Sequence, residues 1–188
     1  MKTTIMGMIT GNLTRFVHLD KCTRALVGIT YGHSEAHSRS SFVVSDVQNV
    51  STTTMYWMVT VSDSLKLPHM LFNIECTGEM YVVITEGADR TGTTKLQARN
   101  RYRHLGSDIP LTTVHHAYTG GTTNGAKTLF KKRTGSTGVA SKTITSGSAR
   151  GHNEWILAPS IKYIVSVTTY ADVYVTVELD WYEHTEKD

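Results

Sequence analysis

The C-terminal part of the chain alternates apolar and polar positions with period two. Ile161, Tyr163, Val165 and Val167 share one face of residues 161–169. Beyond Tyr170-Ala171-Asp172, residues Val173, Val175, Val177, Leu179 and Trp181 share a face, while Tyr174, Thr176, Glu178 and Asp180 point the other way. Alternation sustained this long predicts an antiparallel hairpin with one buried face. Residues 55–62, 70–76 and 80–86 predict three further strands, separated by Ser/Asp/Pro or Thr-Gly-Glu punctuation. Weaker strand patterns occupy 111–118, 128–133 and 154–157. No window longer than ten residues carries a helical 3.6-residue period. Many short strands divided by turns predict an all-β fold, an antiparallel β-sandwich of jelly-roll type.

Residues 1–50 lack the alternation of the tail and read as an N-terminal arm or extension, although 26–31 and 41–44 could add strands. Residues 51–188 then form the sandwich. Residues 87–94, 119–127 and 135–151 are rich in Gly, Ser and Thr and read as loops.

Composition sharpens this picture. The 188 residues include 29 Thr and 15 Ser but only 3 Pro. Threonine is β-branched and stiff at χ1, which suits a pleated surface and disfavours a helical bundle. No apolar run approaches the length of a membrane span, and the start of the chain shows no sustained apolar leader segment. The expectation is a soluble protein made in a reducing compartment, in which the Asn12 and Asn49 sequons carry no weight. Cys76 alternates in phase with Met70, Phe72 and Ile74, so it reads as a small buried hydrophobe, and Cys22 sits in an unrelated context. Trp57, Trp155 and Trp181 read as core residues.

The net charge of +3 conceals an asymmetry. Residues 95–150 hold ten lysines and arginines against one acid, Asp108, whereas the remainder holds nine against fifteen. This pattern fits a face that meets an acidic partner, and it equally fits a solvated basic loop region. Arg99, Arg101 and Arg103 are the first candidates for interface anchors, followed by Lys131, Lys132 and Arg133, because arginine is enriched at interface hot spots.

Candidate chemistry changes little. His33 and His37 have i, i+4 spacing, but Glu35 is not where a zinc protease places its base, and the flanking residues do not suggest a helix. His115 and His116, adjacent on a strand, point to opposite faces. With so many hydroxyls no Ser/His/acid set stands out. Gly120-Gly121 and residues 135–138 lack the ending of a phosphate loop. Glu178, Asp180 and Glu183 read as a solvated strand face. No catalytic residues, cofactor or metal are expected, and the chain does not read as an enzyme.

Two stretches carry a family resemblance. Asn153-Glu-Trp-Ile-Leu-Ala-Pro-Ser-Ile-Lys-Tyr163, followed by Leu179-Asp-Trp-Tyr-Glu-His184, resembles the C-terminal E-W/F-I-L-x-P-x-x-x-Y and W-Y-E-H pattern of a family of tailed-phage virion proteins. Leu67-Pro-His-Met-Leu-Phe72, Ile84-Thr-Glu-Gly87 and Arg99-Asn-Arg-Tyr-Arg103 are similar to that family's H-F-x-F, Y-E-G and N-R-N-R stretches, in the same order. His33-Ser-Glu-Ala-His37 with Phe42-Val-Val44 sits where the family has a His-rich run, but the chain lacks its His-His doublet and following Gly, and carries Thr85 where the family often has an aromatic. The resemblance implies a capsid decoration (cement) protein on the capsid exterior, assembled in a bacterial cytoplasm. Its partners would be the major capsid protein and further copies of itself, as a homotrimer. Two other readings stay open. One is a neck, tail or adhesin component binding carbohydrate through Tyr170, Tyr174 and Tyr182. The other, less supported, is a small DNA-binding protein using the basic segment, which would show steep salt dependence.

Overall fold

A computed structural model describes residues 5–7, 15–17, 36, 38–104, 108–119, 121–122, 125–135, 142–145 and 154–185. The chain divides into two units, Met1–Ser34 and Glu35–Asp188. In the first, β1 (Ile5–Gly7) pairs antiparallel with β2 (Arg15–Val17). The second is an antiparallel two-sheet β-sandwich. Its strands are β3 (Ser41–Ser51), β4 (Thr54–Thr60), β5 (Lys66–Cys76), β6 (Met80–Glu86), β7 (Thr91–Lys95), β8 (Arg99–Asn100), β9 (Thr113–Thr119), β10 (Lys127–Thr134), β11 (Lys142–Thr145), β12 (Trp155–Ile156), β13 (Lys162–Thr169) and β14 (Asp172–Thr185). One sheet runs β10-β6-β13-β4-β9-β7. The other runs β11-β5-β14-β3-β8, with β12 also on β5.

The pairings nest. β3 pairs β14, β4 pairs β13, β5 pairs β12 and β11, and β6 pairs β10, all antiparallel. Taken forward from β3 and backward from β14, the chain is one long hairpin whose successive rungs fall alternately in the two sheets. Its tip, between β6 and β10, contributes β7 and β9 beside β4, and β8 beside β3.

The inner faces meet in one core. β14 sends Val173, Val175, Val177, Leu179 and Trp181 inward, and β5 sends Met70, Phe72, Ile74 and Cys76. From the other sheet come Trp57, Val59, Met80, Val82, Tyr163, Val165 and Val167. Burying a Val, Leu or Ile side chain contributes roughly 1.5–3 kcal/mol, so period-two alternation is what fixes each strand's facing. A smaller cluster of Met58, Ala88 and Ile164 packs with Tyr56 and Ala126. Trp57 and Trp181 are fully buried, whereas Trp155 is half-buried against the core.

Three expectations are corrected. The stretches 161–169 and 173–181 are strands with the expected buried faces but do not form a hairpin: β13 pairs β4 and β6, whereas β14 pairs β3 and β5. Alternation sets which face is buried and says nothing of the neighbour, and residues 170–171 carry the chain between sheets. The sandwich also begins well before residue 51. β3 lies between β14 and β8, eleven residues long, so residues 41–50 are interior sheet and not arm. Its inward positions are Phe42, Val44, Asp46, Gln48 and Val50, and the two polar residues hide the alternation. Finally, 87–94 and 135–151 are not loops throughout, since they contain the start of β7 and all of β11. The expected strand at 26–31 lies outside the described residues.

Candidate docking surface

Among the described residues, Glu154–Ile156, Leu67–His69, Asn100 and Trp181–His184 lie at one end of the sandwich. Glu183 follows Trp181 on the inward face of β14 and is buried. Its Oε2 accepts the backbone N–H of Leu111 at 2.9 Å, and its Oε1 accepts those of Thr112 at 2.8 Å and the Trp181 indole at 3.1 Å. A carboxylate thus satisfies three donors and ties the segment before β9 to the end of β14. Asn100 is equally committed: its Nδ2 donates to the carbonyls of Arg39 and Asp108, and its Oδ1 accepts the Tyr102 N–H. The Tyr163 hydroxyl accepts the Ala158 N–H at 2.9 Å, and burial raises its pKa.

On the outer face of the same sheet Tyr182 sits directly across from His69. The two rings stack at 4.8 Å, and His184 stacks on His69 at 4.4 Å. The Tyr182 hydroxyl donates to Glu154 Oε2 at 2.8 Å and lies 3.1 Å from His69 Nδ1. Glu154, Trp181, Tyr182, Glu183 and His184 therefore join β14 to the segments that flank it.

Around this frame lies an exposed apolar rim. Thr60 pairs Thr113 and Lys162, Thr185 pairs Lys66, and Ser160 N–H donates to Ser62 O, so the segments around 61–65, 108–112 and 156–160 share one end of the fold. Leu65 and Ile109 are each 85% exposed there, Ile156 55% and Leu111 44%. They are four of the seven large hydrophobics exposed among the described residues. Single exposed apolar residues are ordinary. At this end a groove of about 360 Å³ is lined by Lys95, Leu96, Arg99, Arg103, Ile109 and Val114, among others.

The six basic candidates separate into two groups. Arg99, Arg101 and Arg103 lie at and after β8, which terminates one sheet. Lys131, Lys132 and Arg133 lie on β10, which terminates the other, three strands away from β4. Two of the six are occupied within the chain. Arg101 grips Asp180 through Nη2 at 2.8 Å and Nε at 3.3 Å. Arg133 donates to Glu79 at 2.6 Å and covers the Tyr170 ring at 4.6 Å, and these groups raise its pKa. Lys131 and Lys132 stand exposed on an edge strand, where charge discourages pairing with another chain's edge. Arg99 and Arg103, in the groove, make no ion pair with the described residues.

The exposed apolar residues were missed in the sequence because Leu65 and Ile109 sit singly between strands, and Leu111 and Ile156 fall in stretches read as weak strands. The signal present was Ile109-Pro110-Leu111, apolar residues beside a turn-former next to the basic segment. Among the aromatics assigned to a sugar site, Tyr170 and Tyr174 are exposed, but Tyr182 is 3% exposed and occupied with His69 and Glu154, so that trio does not form one platform.

His115 and His116 point to opposite faces, as their adjacency requires. His116 is buried and stacks on Trp57 at 5.3 Å, with Nδ1 3.5 Å from Asp46 Oδ2, the oxygen that accepts the Trp57 indole N–H at 2.7 Å. Burial lowers the pKa of His116, opposed by Asp46, and lowers that of His115, assisted by Lys95 and Lys162. Cys76 is a free, buried thiol whose pKa burial raises. His33, His37 and Cys22 lie outside the described residues, and among those described no three His, Cys, Asp or Glu side chains are placed to hold a metal ion. Comparison with protein-family models, curated proteins and solved structures finds no match.

Proposed function

We propose that this protein is a structural component of a tailed-phage virion, a capsid decoration protein that binds the assembled shell of the major capsid protein and stabilises it from outside. The observation that carries the reading is the basic groove at this end of the sandwich, where Lys95, Arg99 and Arg103 line one concavity and Ile109 stands 85% exposed among them. A protein that binds only the assembled lattice stabilises it by mass action, since its contacts are absent from the dissociated state. An apolar anchor beside unmatched cations suits such a contact, with the apolar residue supplying affinity and the charges orientation.

Two further features support it. The nested pairs β3–β14, β4–β13, β5–β11 and β6–β10 give the sheet orders β3-β14-β5-β11 and β4-β13-β6-β10, which support reading the sandwich as a long hairpin rolled into a jelly roll, an architecture used in viral capsid proteins. Fold alone does not fix function. The second feature is that the stretches resembling phage virion proteins, Glu154–Tyr163 and Trp181–His184 with His69 and Asn100, build the frame that holds this end. The protein acts as a homotrimer straddling neighbouring capsomers, with the apolar end toward the shell.

The test is co-sedimentation of the purified protein with shells lacking it. Wild type pellets with shells, Ile109→Ser and Arg99→Glu/Arg103→Glu remain in the supernatant, and Lys131→Glu/Lys132→Glu pellets as wild type does. Wild type left in the supernatant, or all variants pelleting equally, overturns the proposal.

A further inference from the structure

We infer that the groove between residues 95–100 and 108–114 receives an extended, acidic segment of the shell protein carrying an apolar side chain, an inference that rests on the decoration reading. Three cations, Lys95, Arg99 and Arg103, line a cavity of about 360 Å³ whose lining includes one acid, Asp108. None of the three makes an ion pair with the described residues, whereas Arg101, Lys127, Arg133 and Lys162 are all matched to carboxylates within the chain. Unmatched positive charge lining one concavity calls for carboxylates from outside. Leu96, Ala98 and Val114 give the same groove an apolar component, and Ile109 stands on it 85% exposed. Nucleic acid would pair with the arginines but would leave that isoleucine without an apolar partner. The groove also lacks an aromatic ring for base stacking. A cavity this size is at the small end of ligand sites, which run from roughly 300 Å³ upward, so it suits a few side chains of a strand or loop and not a folded element.

The frame keeps the groove formed before binding. Glu183 fixes the backbone of Leu111 and Thr112 on one side, and Asn100 holds Asp108 and Tyr102 on the other. A site held open in this way does not charge the incoming segment for ordering both partners, which is how preorganisation raises affinity.

The experiment is zero-length carbodiimide coupling on purified particles, which joins a lysine amine to a carboxylate it touches, followed by mass spectrometry. Lys95 is expected to be joined to an Asp or Glu of the shell protein. In particles carrying Lys95→Arg, which keeps the charge but cannot couple, that product disappears. In particles carrying Arg99→Glu/Arg103→Glu, the copy number falls at least tenfold. Lys95 joined only to another copy of this chain, or uncoupled in particles that contain the protein, overturns the groove assignment and leaves the decoration reading standing. Absence of the chain from particles overturns both.

Discussion

Replacing Glu183 tests whether the end of the sandwich is held as described. The carboxylate accepts three N–H groups, from Leu111, Thr112 and the Trp181 indole. Thr112 is 1% exposed and Trp181 0%, so Glu183→Ala strands two donors where water does not reach them, while the Leu111 N–H, on an exposed residue, is the one most able to rehydrate. An unsatisfied buried donor costs about 1–3 kcal/mol. Two of them give roughly 4 kcal/mol, and for a chain of this size about 2–4 °C of melting temperature accompanies each kcal/mol, so a fall of roughly 8–16 °C is expected. Glu183→Gln keeps a carbonyl for Thr112 and Trp181 and turns an amino group toward Leu111, so it should lose only about 1–2 kcal/mol, from one bond and the charge assistance of the others. Circular dichroism melts provide the comparison, and limited proteolysis should show faster cleavage around residues 108–112 in the alanine variant. A shift under about 3 °C for Glu183→Ala, or equal shifts for Ala and Gln, would mean that the carboxylate does not hold this segment.

Other consequences are open to simple measurement. His116 has a folded pKa below its ordinary value of 6.5 because burial disfavours the cation. The unfolded chain therefore takes up a proton first, and the stability held above pH 6.5 is lost as pH falls below it. His115 acts in the same direction. Melting temperature should fall between pH 7.5 and pH 5.5 and do so less steeply in His116→Gln; equal slopes would show that His116 does not contribute. Gly135 has φ +95°, and a Cβ there would lie 2.5 Å from Glu79 Cα and 2.6 Å from Gly78 O. Gly135→Ala should thus cost at least about 2 kcal/mol through strain and backbone contact, and an unchanged melt would contradict this placement.

How far the sequence revealed the fold depended on whether a strand's pattern was pure. In β14 every inward position from Val173 to Trp181 is apolar, and in β5 Met70, Phe72, Ile74 and Cys76 keep step, so location and facing were both legible. β3 was not, because Asp46 and Gln48 face inward among Phe42, Val44 and Val50, and Asp46 is there to accept the Trp57 indole N–H from the other sheet. Pairing was hidden for a different reason. β13 and β14 are separated by only two residues, yet they lie in different sheets, since the partners of each come from more than sixty residues away. The candidate docking surface was half legible. Charge counting found the basic segment. It could not distinguish Arg99 and Arg103, which make no ion pair with the described residues, from Arg101 and Arg133, each closed onto a carboxylate by the folded chain. Glu183 is the sharpest case: grouped with Glu178 and Asp180 it reads as one more solvated acid, yet it keeps step with Val173–Trp181, and β14 turns it inward to meet backbone donors brought from seventy residues away.

Occupancy of the shell is read by quantitative mass spectrometry of purified particles. A decoration protein is expected there at a copy number of the same order as that of the major capsid protein. A copy number one or two orders of magnitude lower, as for a neck or tail part, or absence of the chain from the particle, would contradict the decoration reading.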